Sequence, residues 1–256
     1  MKLLFIGDIF AQSGREAVKR FVPELRQELG LDLVIANAEN AHNGNGISFD
    51  NYQEIRDAGI DWMTSGDHIW GVKEFVGQLD DPSIQVIRPA NYPAGVAGRG
   101  VVEIQVGSEK LTLINLMGRV FMNPAVDNAF LAFDRIMESA KGFVLVDYHA
   151  EATSEKNTFG HYVDGRAGAV VGTHTHVQTA DERLLPKGTA YITDVGMTGP
   201  MDGSVGADLA QVTPSFTRGL PFRLVPAEGP TQLNAVVITV ENSKATDIQR
   251  IRRVID

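Results

Sequence analysis

The chain has 256 residues and no cysteine. The absence of cysteine excludes disulfides, thiolate nucleophiles and metal sites built on cysteine, and it is typical of a cytoplasmic protein, the location that we expect. Apolar runs are also short, because none approaches the ~20 residues that a membrane-spanning helix needs. Asp8 interrupts the apolar start of the chain too early for the core of a signal peptide. The sequence therefore predicts no membrane segment.

Positive charge is scarce as well. There are 32 acidic residues and only 23 lysines and arginines, which gives a formal net charge of −9. A broad surface for the nucleic-acid backbone needs an excess of basic residues, so we do not expect one. The first apolar strand is not followed by a G-x-G-x-x-G turn, which argues against a dinucleotide-binding fold. No internal repeat or linker divides the chain, and residues 1–256 are expected to form one domain.

Apolar runs that favour strands alternate with segments of helical periodicity, which predicts an α/β fold. Predicted strands cover residues 2–7, 31–38, 61–65, 101–106, 111–116, 143–147, 167–172 and 189–193, with a closing hairpin of 234–241 and 245–255. Predicted helices cover residues 14–29, 49–58, 125–140 and 151–162. Residues 203–230 are rich in Gly and Pro and are expected to form a long loop. The two hairpins favour mixed sheets, with two sheets packed together.

Five of the predicted strands end in polar residues. The first three end at Asp8, at Glu39-Asn40 and at Asp67-His68, and two later strands end at His149 and at His174-Thr175-His176. Ligands in open α/β sheets bind outside the carboxyl ends of the strands, so these ends are expected to meet at one edge. A single histidine is more often an ordinary polar residue than a ligand. Four of the six histidines at strand ends, beside three acidic residues, instead predict a metal site.

The His174-Thr175-His176 element is the strongest local signal. In an extended segment, residues i and i+2 face the same side, so both imidazoles would reach one metal centre or two adjacent ones. Glu39 and Asn40 offer adjacent oxygen ligands, although a segment rich in Asn and Gly is also typical of an ordinary loop. Asp8 is expected to need a partner, because an unpaired carboxylate at the buried end of a strand is costly.

The candidate ligands are too many for one ion. They are Asp8, Glu39, Asn40, Asp67, His149, His174 and His176. Such a set suits two ions about 3.5–4 Å apart that share a carboxylate. Mixed imidazole and carboxylate donors favour manganese, iron or zinc over calcium and magnesium. Two such ions would also attract an anionic substrate to this acidic protein.

These motifs, in this order, resemble those of the calcineurin-like metallophosphoesterases, and in detail those of the YmdB branch. The matching segments include residues 6–10, 37–41, 147–151, 172–181 and 193–200, and the similarity runs from Met1 to about residue 206. The resemblance implies a four-layer α/β/β/α sandwich with a two-metal centre, often of iron or manganese. It also implies a phosphodiesterase that acts on cyclic nucleotides, including 2′,3′-cyclic nucleotides.

The resemblance also implies roles for single residues. Asp8, Asn40 and His176 would hold the first ion, Asp67, His149 and His174 would hold the second, and Glu39 would bridge them. A hydroxide shared by the ions would attack phosphorus, while His68 would act as the general acid for the leaving group. Asp147 and Asp194 are candidates for orienting the imidazoles, whereas His42 and His161 are expected to lie outside the site.

One residue departs from the family pattern, and two alternatives stay open. Gly-Asn-His is usual after the third strand, but this chain has Asp67, whose added charge predicts tighter metal binding and a less electrophilic second ion. A metal-binding regulatory protein of the same fold, with weak phosphatase or phosphodiesterase activity, is one alternative. An amidohydrolase is the other, although such enzymes usually place an H-x-H element after the first strand. The expected partner is a small phosphodiester or nucleotide, and the sequence leaves open whether the chain forms a homo-oligomer.

Overall fold

The computed structural model describes residues 1–256, and most of its helices and strands lie close to the predicted ones. The strands are β1 Lys2–Ile6, β2 Asp8–Ile9, β3 Leu33–Asn37, β4 Trp62–Thr64, β5 Val101–Val106, β6 Glu109–Met117, β7 Phe143–His149, β8 Ala169–Thr173, β9 Arg183–Leu184, β10 Ala190–Ile192, β11 Met197–Pro200, β12 Thr231–Glu241 and β13 Lys244–Ile255. The helices are α1 Ala11–Leu29, α2 Phe49–Asp57, α3 Lys73–Val76, α4 Ala129–Met137, α5 Thr153–Val163 and α6 Leu209–Arg218, with a 3₁₀ turn at Asp67–Trp70.

The strands form two mixed sheets. The first has seven strands in the order β2-β11-β12-β1-β3-β4, with β13 paired to β12, and the second has six in the order β5-β6-β7-β8-β10-β9. Strands β1, β3 and β4 run parallel to one another in the first sheet, as do β6, β7, β8 and β10 in the second. The carboxyl ends of the strands that carry the candidate ligands therefore gather at one edge of each sheet.

Alternation along β1 explains how the layers stack. Leu3 and Phe5 point into a core between the two sheets, where they meet residues such as Leu145 of β7. Leu4 and Ile6 point the other way and join a second core under α1 and α2. A third core fills the outer face of the second sheet under α4 and α5. The result is a four-layer α/β/β/α sandwich, as predicted.

The main error in the predicted elements lies in residues 203–230. That segment was expected to be a loop, but it contains α6. The carboxylate of Asp208 caps the helix by accepting a hydrogen bond from the amide of Gln211, and Gly219 ends it in a left-handed conformation. These capping residues define a helix despite Pro214 within it.

Helix α1 begins at Ala11, three residues before the predicted start, and it continues past Pro23 to Leu29 as predicted. Its apolar face, which includes Val18, Val22 and Leu25, packs on the first sheet and stabilises the helix in spite of the proline. No helix of the structure is both long enough and apolar enough to cross a membrane.

Candidate metal centre

Four side chains at the ends of β3, β4, β7 and β8 converge at the edge between the two sheets. They are Glu39, Asp67, His149 and His174, and their potential ligand atoms all lie within 4.8 Å of one another. His149 Nε2 lies 3.0 Å from Glu39 Oε1 and 3.2 Å from Asp67 Oδ1. His174 Nδ1 lies 3.0 Å from the same His149 nitrogen. Donor atoms from both sheets thus point to one place.

Three further candidate ligands, Asp8, Asn40 and His176, form what we call the second group. Asp8 accepts a hydrogen bond from the amide of His174, and Asn40 and His176 line the same cavity. His176 Nε2 is 3.8 Å from Asp8 Oδ1. Asp8 Oδ1 and Asn40 Oδ1 are both buried and have no hydrogen-bond donor. Since a buried oxygen without a donor costs free energy, two such oxygens among the candidate ligands fit a bound cation. The residues present therefore fit the metal site that the sequence predicts.

The hydrogen bonds of the three histidines fix which ring nitrogen is free. His174 Nε2 lies 3.0 Å from the carboxylate of Glu151, and His176 Nδ1 donates to the carbonyl of Val205 at 2.9 Å. His149 Nδ1 lies 2.9 Å from the hydroxyl of Thr173, which itself donates to Asp147 and so accepts from the imidazole. In each ring the outer nitrogen carries a proton. The inner nitrogen can then offer its lone pair to a cation, which in His149 would replace the second proton of the ring.

Charges interact strongly in what we call the central group, which consists of Glu39, Asp67, His149 and His174. Burial alone would lower the pKa of His149, but the charge of Glu39 and the hydrogen bond to Asp67 raise it well above its ordinary value. Burial would likewise raise the pKa of Glu39 and of Asp67, but the charge and hydrogen bond of His149 hold both below their ordinary values. Burial and the charge of His149 lower the pKa of His174 to about 4. A proton on His149 thus balances the carboxylates, and a metal cation could replace it.

The backbone of the two histidines after β8 differs from the prediction. An extended segment was expected to present both rings to the same side, which is wrong. His174 and His176 have φ angles of 97° and 66°, in the left-handed region that residues other than glycine rarely adopt. His174 consequently turns toward the central group while His176 turns toward Asp8. Strain of this kind costs about 1–3 kcal/mol per residue and is typical of functional sites.

A buried ion pair holds this strained segment. Asp194 Oδ2 accepts hydrogen bonds from the amide and the hydroxyl of Thr175 at 3.1 and 2.8 Å. The ammonium group of Lys156 donates to Asp194 and to the carbonyl of Thr173, both at 2.6 Å. Asp194 was predicted to orient an imidazole, and it contacts the residue between the two histidines. Lys156 was missed, because one lysine in a helical pattern carries no sequence signal for burial.

Asp147, the other residue predicted to orient an imidazole, lies behind the central group. Its carboxylate accepts from the hydroxyl of Thr173, which contacts His149, and from the amide of Asn37 at 3.2 Å. Burial raises the pKa of Asp147 to about 7. Asp147 is therefore linked to His149 through one hydroxyl group rather than directly.

His68 lies at the rim of the site rather than inside it. Its side chain is 39% exposed, compared with 0% for His149. The amide group of Asn40 is 2.9 Å from His68 Nδ1 and can only donate, so the neutral ring carries its proton on Nε2. The backbone amide of His68 donates to Glu39 Oε2 at 2.9 Å. His68 can therefore present a proton to a bound molecule. His42 and His161 lie outside both groups, as expected.

Glycine is required beside the candidate ligands for steric reasons. A Cβ atom on Gly66 would lie 2.2 Å from the ring of His149. A Cβ on Gly7 would lie 1.8 Å from the carbonyl oxygen of Gly196, and one on Gly172 would lie 1.7 Å from that of Thr193. The glycines that precede Asp8, Asp67 and the His174 segment thus let neighbouring chains and rings approach closely.

A cavity of about 420 Å³ opens from both groups toward the solvent. On one side it is lined by candidate site residues, among them Glu39, Asn40, His68, His174 and His176. On the other side it is lined by apolar side chains of α6 and its flanking segments. A ligand in this cavity would therefore meet a polar, charged end and an apolar end.

Comparison with known proteins decides the family. A family model described as YmdB-like protein matches residues 4–251. The chain belongs to the YmdB-like family. A Bacillus subtilis (strain 168) protein named 2′,3′-cyclic-nucleotide 2′-phosphodiesterase is 47% identical, and the alignment covers 98% of this chain and 96% of that protein. The resemblance drawn from the sequence motifs is therefore confirmed.

Solved structures agree with this assignment. The crystal structure of a novel phosphatase from Mycoplasma pneumoniae matches with a TM-score of 0.95 and 34% identity, covering 99% of this chain and 93% of that one. An NAD nucleotidase from Haemophilus influenzae, with a TM-score of 0.59 and 15% identity over 100% of this chain and 56% of that one, shares the fold alone. The predicted metallophosphoesterase-like fold is confirmed, and the related proteins confirm that the chain is a phosphoesterase hydrolase.

Proposed function

We propose that the chain is a two-metal phosphodiesterase that hydrolyses cyclic nucleotides, with 2′,3′-cyclic nucleotides as the main class. In this proposal Asp8, Asn40 and His176 would hold one ion, and Asp67, His149 and His174 would hold the other. Glu39 would be the ligand that both ions share. The substrate class follows the Bacillus subtilis relative, which is similar in sequence over nearly its whole length.

The observation that carries the proposal is the pair of adjacent donor groups around Glu39. Glu39 Oε1 lies 3.0 Å from the nitrogen of His149, which belongs to the central group. The backbone amide of His174, which also belongs to the central group, donates to Asp8 Oδ2 at 3.3 Å, so the two donor groups adjoin. An arrangement of oxygen and nitrogen donors on both sides of one carboxylate supports two ions with a shared ligand.

The donor set favours iron or manganese, with zinc as a further candidate, because it combines imidazoles with carboxylate and amide oxygens. Such ions, when bound, supply positive charge to the phosphoryl oxygens and lower the pKa of bound water. The protein residues supply the remaining functions. The left-handed backbone of His174 and His176 turns one imidazole toward each donor group.

His68 is the candidate general acid of the proposal. Its Nε2 proton lies at the rim of the cavity, where a leaving alkoxide would form, and its Nδ1 is held by Asn40. A positioned acid of this kind contributes about 10²–10⁴-fold to the rate. The proton would pass from His68 Nε2 to the leaving oxygen, and solvent would return it to the exposed ring.

The proposal is tested by turnover of adenosine 2′,3′-cyclic phosphate in protein loaded with Mn²⁺. The His68→Ala variant should lose about 10²–10⁴-fold in kcat while it keeps both ions. The Asp8→Ala variant should lose an ion as well as activity, which separates a ligand from an acid. Equal loss of metal and activity in the His68 variant would make His68 a ligand and contradict its proposed role.

A panel of substrates separates the proposal from its alternatives. The wild type should cleave phosphodiesters faster than phosphomonoesters and should not cleave amides. Asp67 favours a regulatory protein with weak activity, because it adds a carboxylate to a site that already holds Asp8 and Glu39. Cleavage by wild type no faster than by Asp8→Ala would support that second function and contradict the first.

A further inference from the structure

The apolar end of the cavity is built by one segment of the chain. Seven of the fifteen exposed large hydrophobic side chains lie between residues 205 and 225. Four of these side chains line the cavity together with the buried Val212, and we call the five residues the apolar wall: Val205, Val212, Phe216, Phe222 and Leu224. Phe216 is 84% exposed and Phe222 is 46% exposed. Aromatic rings this exposed are available to a ligand in the cavity.

The apolar wall is tied to the candidate metal centre. The carbonyl of Val205 accepts a hydrogen bond from His176 Nδ1 at 2.9 Å. The amide of Asp208, which caps α6, donates to the carbonyl of Val225 at 2.8 Å. The helix and the segment after it are thus held together, and the hydrogen bond of His176 links them to the donor groups. The wall therefore stands at a set distance from the place where a phosphate would bind.

We propose that the apolar wall is the subsite for the nucleobase of the substrate, with the ring of Phe216 stacking on the base. This inference rests on the proposed function and names the part of the substrate that the same cavity would recognise. A nucleotide has a charged phosphate at one end and a flat, largely apolar base at the other, which matches the two ends of this cavity. Its volume of about 420 Å³ also lies within the range of about 300–1,000 Å³ that is typical of small-molecule pockets.

Stacking on Phe216 predicts a specific pattern of preference. The wall offers ring faces and aliphatic groups but few polar atoms, so it would not read the hydrogen-bonding edge of a base. All bases should therefore be accepted, and purines should bind more tightly than pyrimidines because their larger face stacks better. A second copy of the chain is a less suitable occupant, since it would have to cover the charged residues that line the same cavity.

The test compares a substrate with a base to one without. The two compounds are adenosine 2′,3′-cyclic phosphate and methyl β-ribofuranoside 2′,3′-cyclic phosphate, which carries a methoxy group in place of the base. Phe216→Ala should raise KM for the adenosine compound about tenfold and leave KM for the methyl riboside unchanged. Phe216→Tyr should retain the wild-type preference, because it keeps an aromatic face.

Leu209→Ala is the matched control. Leu209 is an exposed apolar residue on the same helix, at 53% exposure, but it does not line the cavity. Its removal should change KM for neither compound. Equilibrium binding to metal-free protein does not depend on turnover and should be measured for both compounds. Phe216→Ala should lose about tenfold in affinity for the adenosine compound and none for the methyl riboside.

Each other outcome overturns the inference. Equal losses of affinity for both compounds would give Phe216 a structural role. No loss for either compound would mean that the base does not stack on Phe216. A change of oligomeric state in Phe216→Ala, measured by light scattering, with unchanged preference would assign the wall to a second copy. If the wild type cleaves neither compound, the proposed function fails, and the binding comparison still decides whether the wall recognises a base.

Discussion

The ion pair of Lys156 and Asp194 offers a test of how the histidine segment is held in place. Lys156 is 1% exposed and Asp194 is 0% exposed, and their charged atoms are 2.6 Å apart. Lys156→Met keeps much of the side-chain volume but leaves Asp194 as a buried charge without a partner. Removing one partner of a buried pair typically costs about 3–5 kcal/mol in the free energy of unfolding.

The structure indicates the lower end of that range for Lys156→Met. Asp194 keeps hydrogen bonds from Thr175, and its other oxygen accepts from the amide of Gly196 at 2.8 Å. These donors offset part of the lost charge, so we expect a loss of about 3 kcal/mol. Lys156→Met should also weaken metal binding, because Lys156 holds the carbonyl that precedes His174.

Urea unfolding of metal-free protein, followed by tryptophan fluorescence, measures this free energy without a contribution from bound ions. Lys244→Met is the control, since Lys244 is exposed and its loss should change stability by no more than about 0.5 kcal/mol. Adding Asp194→Asn to Lys156→Met should recover part of the loss, because it removes the buried charge. A loss as small as that of the control would refute a stabilising role for the buried pair.

Three further predictions follow from single contacts. Asp67→Asn should weaken Mn²⁺ binding by about tenfold, because it removes a charge at ligand distance. An unchanged Mn²⁺ affinity in a competition titration, together with an unchanged cleavage rate, would contradict Asp67 as a ligand. Gly66→Ala should displace the ring of His149 and lose the second ion while circular dichroism still shows a folded chain; full metal content would contradict this. Glu54 has a pKa below its ordinary 4.5, since hydrogen bonds from its two basic partners on α1 more than offset burial. Glu54→Gln should therefore cost about 1 kcal/mol at pH 7, and the difference should vanish as the pH falls through the lowered pKa, measured by urea unfolding at pH 7 and pH 3.

The sequence predicts the positions of the candidate site residues well because strand ends are local features. Apolar runs set β1, β3, β4, β7 and β8, and the polar residues that interrupt them mark where each strand stops. The parallel arrangement then brings these ends to one edge, whatever the details of the loops. That is why Asp8, Glu39, Asp67 and His149 could be placed together from the sequence.

Other features depend on contacts that no local pattern reveals. The left-handed backbone of His174 and His176 follows from Asp194, which lies far along the chain and binds Thr175. Burial of Lys156 likewise depends on its distant partner. Helix α6 was missed because residues 203–230 are rich in Gly and Pro, whereas the capping of the helix by Asp208 could have been read from the sequence.

The number of metal ions bound per chain tests the two-metal site most directly. Protein loaded with Mn²⁺, freed of excess metal and measured by elemental analysis, should hold two ions per chain in the wild type. Asp8→Ala should hold one, because the group of Glu39, Asp67, His149 and His174 remains complete. A wild type that holds one ion or none, with Asp8→Ala unchanged from it, would contradict the two-metal site.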